Sequence, residues 1–297
     1  MRAPWGDGMR WRKSRASNNV IQAGNRRGGF GPMRGRHVSL GGLIIIAILS
    51  LVFHRDLFGL LGLTDMSNVA PGQQSSRPAD NDDPQVQFVR HVLGSTEDDW
   101  NAIFEQHGMR YSEPKLVLFR GAVDTACGSA TSAVGPFYCP GDQRVYLDLD
   151  FFDTMQHQLH ASTADFARAY VIAHEVGHHV QNLIGISAKV DQARRRGAAM
   201  EGANGLSVRQ ELQADCFAGV WAAQAQKRLD WLQPGDVQAA LDTASAIGDD
   251  TLQRETRGTV MPDSFTHGTS AERVRWFRTG FTRGDMGACD TFGSERL

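Results

Sequence analysis

The spacing of apolar residues changes several times along this chain, and each change predicts an element. Residues 38–53 form a 16-residue run without a charge, centred on Leu43-Ile44-Ile45-Ile46-Ala47-Ile48-Leu49. Helical spacing appears over 86–93 and again over 98–107. Leu116-Val117-Leu118-Phe119, within 115–123, and Val145-Tyr146-Leu147-Asp148-Leu149, within 143–152, predict two strands. Apolar positions then recur at Phe166, Ala169/Tyr170, Ala173, Val176/Gly177, Val180 and Leu183, the period of a helix. Ser162 or Thr163 can cap it, Asp165 complements the first-turn amides, and Gly185 is a stop. A second helix is predicted from 208 to about 229, opened by Ser207-x-x-Gln210 in capping-box spacing and packing through Leu212, Cys216, Val220 and Ala223. A third begins near Ser270 and runs through Val274, Trp276 and Phe277. Strands followed by helices predict an α+β domain.

The charge-free run changes the picture of the N-terminus. Sixteen helical residues span about 24 Å, slightly less than a ~30 Å hydrocarbon core, and Arg36 and Arg55 can snorkel at its two ends. A buried soluble helix is the alternative. A cleaved signal peptide fits less well, because the preceding segment is long and no small-x-small site follows. The expected organisation is a basic cytoplasmic arm over 1–37, a single-pass transmembrane anchor over 38–54, a tether over 55–84 and a folded domain over 85–297. The tether is rich in Ser, Asp, Asn, Gln, Gly and Pro from residue 64 onward. Basic residues before the span put the N-terminus in the cytoplasm and the domain on the far side of the membrane, periplasmic or extracellular.

Charge is distributed to match. The formal net charge of −2 hides nine Arg/Lys against Asp7 alone in residues 1–37. From Met66 onward, 21 basic residues face 30 acidic ones, which argues against nucleic acid as a partner of the domain. The four cysteines, Cys127, Cys139, Cys216 and Cys289, suit an oxidising compartment. Four cysteines allow three pairings. Cys127 with Cys139 closes a short loop, and Cys216 with Cys289 ties the 208–229 helix to the C-terminal tail, each worth roughly 3–4 kcal/mol less strain. Free buried thiols are the alternative; a cysteine zinc site is disfavoured because no Cys-x-x-Cys occurs.

Candidate chemistry lies in Ala173-His174-Glu175-Val176-Gly177-His178-His179. With ten histidines in the chain, composition alone produces a His-Glu-x-x-His string in roughly one or two chains per hundred, so the string needs support. On the predicted helix, His174 and His178 lie one turn apart on one face and can meet at one metal ion, with Glu175 on the adjoining flank. His179 falls on a different face, as a supporting or surface residue. The second helix carries Glu211 and Asp215 four apart in an otherwise apolar run. Buried acids need a metal or a donor. Glu211 as third zinc ligand and Asp215 as acceptor from a ligand imidazole satisfy both; a solvated acidic face is the alternative.

Several strings together resemble one family. They are Cys127-Gly128, Gly135-Pro136-Phe137-Tyr138-Cys139-Pro140, Val145-Tyr146-Leu147-Asp148, His174 to Gln181, Arg209 to Trp221, and Phe265-Thr266-His267-Gly268-Thr269-Ser270. Over roughly residues 80–290 the chain resembles the bacterial "putative neutral zinc metallopeptidase" family, with the gluzincin pattern of His-Glu-x-x-His followed by Glu-x-x-x-Asp. The resemblance implies one catalytic Zn2+ held by His174, His178 and Glu211, and Glu175 as base. It also implies a zincin-like domain in which the strand over 143–152 is the edge that binds the backbone of a peptide or protein substrate. Some gluzincin relatives carry a histidine followed six residues on by arginine; here His267 or Arg273 would stabilise the oxyanion, or else His267 caps and Arg273 forms a salt bridge. Two other classes stay open: a zinc hydrolase of a non-peptide, cell-wall-type amide, and a tethered module that holds zinc without catalysis.

Overall fold

The computed structural model describes residues 8–23, 76–79, 82–153, 162 and 164–297. A five-stranded sheet has the order β2-β1-β3-β7-β6, built from β1 (Val20–Ala23), β2 (Ser76–Pro78), β3 (Lys115–Phe119), β6 (Phe137–Cys139) and β7 (Arg144–Asp148). β1, β3 and β7 run parallel, and β2 and β6 flank them antiparallel. The register Leu116↔Val145, Val117↔Tyr146, Leu118↔Leu147 splits the alternating side chains between two faces. Leu116, Leu118, Val145 and Leu147 enter the main core against the helices. Val117, Phe119 and Tyr146 enter a smaller core with Val123 and Ala130 of the hairpin β4 (Ala122–Thr125) and β5 (Gly128–Thr131).

The helices are α1 (Pro84–Gln106), α2 (Asp165–Leu183), α3 (Ile186–Arg195), α4 (Leu206–Leu229), α5 (Asp236–Ala246), α6 (Asp249–Arg257) and α7 (Ser270–Arg283). Buried aromatic rings hold α1, α2, α4 and α7 together, with Trp100 edge-on to Phe217 and Phe166 stacked on Trp221. The mixed α+β class expected from the sequence is the one observed.

Several expectations are corrected. The two helical stretches over 86–93 and 98–107 are one helix, α1, whose polar middle is satisfied from outside: Trp221 Nε1 donates to Ser95 Oγ (3.2 Å) and Ser17 Oγ to Glu97 (2.6 Å). The expected caps also move. α2 begins after Ala164 and α4 after Gly205, neither with a side-chain cap, while a full capping box forms at Thr269 and Glu272 of α7. β7 is not an edge: β3 and β6 pair with both its sides, and the edge beside it is β6.

The boundary at residue 37 does not hold for the described part of the basic arm. Residues 8–23 form a strap along α1 that ends as β1 inside the sheet. Arg10 N–H donates to the Trp231 carbonyl (2.8 Å), Ser14 Oγ to that of His91 (2.8 Å), and Ser17 N–H to that of Arg90 (2.9 Å). Arg15 pairs with buried Glu97 at 2.7 Å. The strap passes so close to α1 that a Cβ on Gly94 would lie 2.3 Å from the Arg15 carbonyl oxygen, so only glycine fits there. A polar, basic composition hid this because the contacts are backbone hydrogen bonds and ion pairs rather than an apolar stripe. The anchor expected over 38–54 lies outside the described residues. Among those described, no helix is long and apolar enough to cross a membrane.

Candidate active site

Helices α2 and α4 cross at Gly177, where a Cβ would sit 3.0 Å from the Ala214 carbonyl oxygen and 3.1 Å from its Cα. Glycine thus lets the His-Glu-x-x-His turn approach the turn that carries Glu211 and Asp215. The helical spacing does the rest. His174 Nε2 lies 3.1 Å from one Glu211 carboxylate oxygen, and His178 Nε2 3.5 Å from the other.

The donors fit zinc. One atom from each of His174, His178 and Glu211 lies within 4.8 Å of the other two. Donors about 2.0–2.1 Å from a tetrahedral ion stand roughly 3.3–3.5 Å apart, close to the two histidine–Glu211 separations. Both imidazoles also turn their outer nitrogens to protein acceptors. His174 Nδ1 donates to Asp215 (2.8 Å), and His178 Nδ1 faces Gln181 Oε1 (2.9 Å). This leaves both Nε2 atoms for a metal, the arrangement that metal-ligating histidines need.

Asp215 is fully buried and carries four donors. Besides His174, it accepts from Tyr170 Oη (2.5 Å), Arg273 Nε (2.9 Å) and the Arg273 guanidinium NH2 (3.0 Å). Burial pushes this carboxyl up, but Arg273 and His174 outweigh it and lower its pKa to about 2. Burial likewise depresses His174, and the Asp215 and Glu211 carboxylates reverse this, raising it to about 10. Glu211 is held well below the carboxylate range by His178, His174 and His267 despite burial. Glu175 goes the other way: burial, helped by the neighbouring Glu211 carboxylate, raises it more than the two imidazoles and Arg273 lower it. A carboxylate raised in this way is suited to taking up a proton near neutral pH.

The remaining expected residues are also placed. His179 is buried; it donates from Nε2 to the Ser112 carbonyl (2.6 Å), and its Nδ1 faces the Tyr138 hydroxyl (3.1 Å), pinning α2 to β6. Of the two oxyanion candidates, Arg273 is committed to Asp215, Tyr170 and the Ile247 carbonyl, which settles it as a salt bridge. His267 stands on the loop before α7, and Asp249 aims it. One Asp249 oxygen accepts the backbone N–H groups of Thr266, His267 and Gly268, and the other lies 3.2 Å from His267 Nδ1. The Cys127–Cys139 and Cys216–Cys289 disulfides are both formed.

Sequence reasoning missed Tyr170, Gln181 and Asp249. The first two had a signal, since they lie four before His174 and three after His178 on the same helix. Asp249 had none, being 18 residues from His267 with no shared periodicity.

A family model described as "putative neutral zinc metallopeptidase" matches residues 9–292. The chain is 47% identical to the uncharacterised protein YpfJ of Escherichia coli (strain K12) over 291 residues, covering 96% of this chain and 99% of that protein. It is 42% identical over 244 residues to the uncharacterised protein Rv2575 of Mycobacterium tuberculosis (strain ATCC 25618 / H37Rv), covering 79% of this chain and 81% of that one. No solved structure matches it. The family match starts at residue 9, at the head of the strap, and spans both helices of the donor cluster, so the chain belongs to the putative neutral zinc metallopeptidase family.

Proposed function

We propose that this protein is a zinc-dependent peptidase hydrolysing peptide bonds in peptide or protein substrates, with His174, His178 and Glu211 as metal ligands and Glu175 as general base. The observation that carries it is the convergence of those three donors beside a buried carboxylate whose proton affinity is raised. Zinc held by His174, His178 and Glu211 would supply a water of lowered pKa, toward ~7, and a Lewis acid for the substrate carbonyl. Glu175 takes the proton of the attacking water and passes it to the leaving amine. Asp215 holds the Nδ1 proton of His174, fixing the ring with Nε2 toward the ion. His267, aimed by Asp249, donates to the oxygen on which negative charge develops. The edge strand β6 offers its unpaired side to an extended substrate; among the described residues no strand pairs with that side.

The two disulfides support an oxidising compartment on the far side of the cytoplasmic membrane. The strap adds a condition to the expected single-pass anchor. Because β1 pairs with β3, residues 8–23 belong in the same compartment as the catalytic helices, whereas one crossing between Ala23 and Ser76 separates them. We therefore propose that both ends of the 24–75 segment lie on the catalytic side.

The experiment is a digest of casein and a peptide library by the zinc-loaded full chain, with and without chelator. Cleavage that chelator stops and zinc restores is expected. Failure to cut any peptide while cutting a cell-wall amide overturns the peptidase reading.

A further inference from the structure

The two histidines of the donor cluster are supported in different ways. His174 leans on a carboxylate, whereas His178 leans on a neutral amide, Gln181, which is completely buried on the same helix. The amide could in principle present either its oxygen or its nitrogen to the ring, and its neighbours decide which.

Gln181 Nε2 lies 2.7 Å from the Gln210 carbonyl oxygen and 3.1 Å from Gln213 Oε1. A main-chain carbonyl only accepts, so Nε2 must face it. Gln213 is oriented in the same manner, because its own Nε2 donates to the Cys289 carbonyl at 2.9 Å and leaves its Oε1 to accept. Both hydrogens of the Gln181 amide are therefore used, and Oε1 is the atom left for His178. An acceptor at 2.9 Å requires a proton on His178 Nδ1, which leaves the Nε2 lone pair for the metal. Flipping the Gln181 amide would set its oxygen against two other oxygens and its nitrogen against an imidazole N–H.

We infer that Gln181 is a positioning residue that fixes the tautomer and ring orientation of His178 for metal binding, and that Gln210 and Gln213 of α4 fix Gln181 in turn. The inference rests on His174, His178 and Glu211 being the zinc site. The relay runs from α4 back to α2, so the helix that supplies Glu211 also aims the second histidine. It ends on Cys289, which the disulfide to Cys216 holds against that helix.

The test measures zinc dissociation from the full chain by competition with a fluorescent chelator. Tight binding by the wild type and its loss in His174→Ala come first; without them the zinc reading fails, not the relay. With them, Gln181→Leu should raise the zinc Kd roughly 10–100-fold, the usual effect of losing an outer partner of a metal ligand. Gln213→Leu, which leaves the Gln210 contact in place, should raise it by less. An unchanged Kd in folded Gln181→Leu overturns the inference. A long-range proton–nitrogen spectrum of the zinc-loaded wild type tests it without any variant. A solvent-protected proton on His178 Nδ1 is expected, and ligation through Nδ1 overturns it.

Discussion

Replacing Asp215 with asparagine separates the structural and metal-supporting duties of the buried carboxylate. In the folded protein Asp215 receives Tyr170, His174 and two guanidinium N–H groups, all within 2.5–3.0 Å. Its amide replacement keeps the shape but removes the charge that compensates Arg273, which is itself buried. Breaking a buried pair from one side costs about 3–5 kcal/mol, because an uncompensated charge stays behind. Proton linkage gives a consistent figure: a carboxyl lowered from 3.8 to about 2 on folding contributes roughly 2–3 kcal/mol at neutral pH. The sign follows from the depressed pKa. The contribution is complete above the unfolded value and disappears as pH falls through about 2. Urea unfolding at pH 7 and at pH 3 measures both effects. Asp215→Asn should lose several kcal/mol at pH 7 and less at pH 3. The double variant Asp215→Leu with Arg273→Met should recover much of the stability, since apolar replacement of a whole buried pair is often neutral. Its zinc affinity should stay low, since His174 then has no acceptor. An Asp215→Asn protein within about 1 kcal/mol of wild type would refute the claim that this carboxylate compensates Arg273.

Zinc uptake should be strongly pH-dependent. Before a metal binds, the carboxylates hold His174 protonated up to about 10, yet a ligand imidazole must be neutral. Apparent affinity should therefore rise about tenfold per pH unit between pH 7 and 9, with proton release visible by calorimetry in buffers of different ionisation enthalpy; a flat profile contradicts the assignment. His267→Ala should lower kcat by roughly 10²–10³ with zinc content and fold retained, and lost zinc would instead make His267 a part of the metal site. Tags at the two termini should show equal protease accessibility in intact spheroplasts, because the strap and the catalytic helices share one compartment; opposite accessibility would show that β1 cannot pair with β3 in the cell.

The donor cluster was legible because helical periodicity is a local rule. Spacings of four within α2 and within α4 put His174 with His178, and Glu211 with Asp215, on single faces. Burial of acids in an apolar run then required partners. The partner of Arg273 was not legible. It lies 58 residues from Asp215, and the capping box that starts α7 gives no hint that this arginine turns inward beneath the cluster. The strap was hidden for a related reason. Met9, Val20 and Ala23 are too sparse to form a period, and the pairing of β1 with β3 is a register between segments nearly a hundred residues apart. β6 has only three residues, too few for alternation to show, so the sequence alone puts β7 at the edge. Tyr170, Gln181 and Asp249 each act on a site residue through a side chain that is not a ligand; helical spacing from the two histidines marks Tyr170 and Gln181, whereas Asp249 carries no pattern of its own.

In the proposed function Glu175 moves the proton while His174, His178 and Glu211 hold the ion. Its most direct test compares wild type with Glu175→Gln, measuring zinc content and cleavage of one peptide in the same preparations. Equal zinc and a fall in kcat/KM of roughly 10²–10⁴ are expected, the range attributed to a positioned general base. A Glu175→Gln protein that cuts as fast as wild type would contradict it.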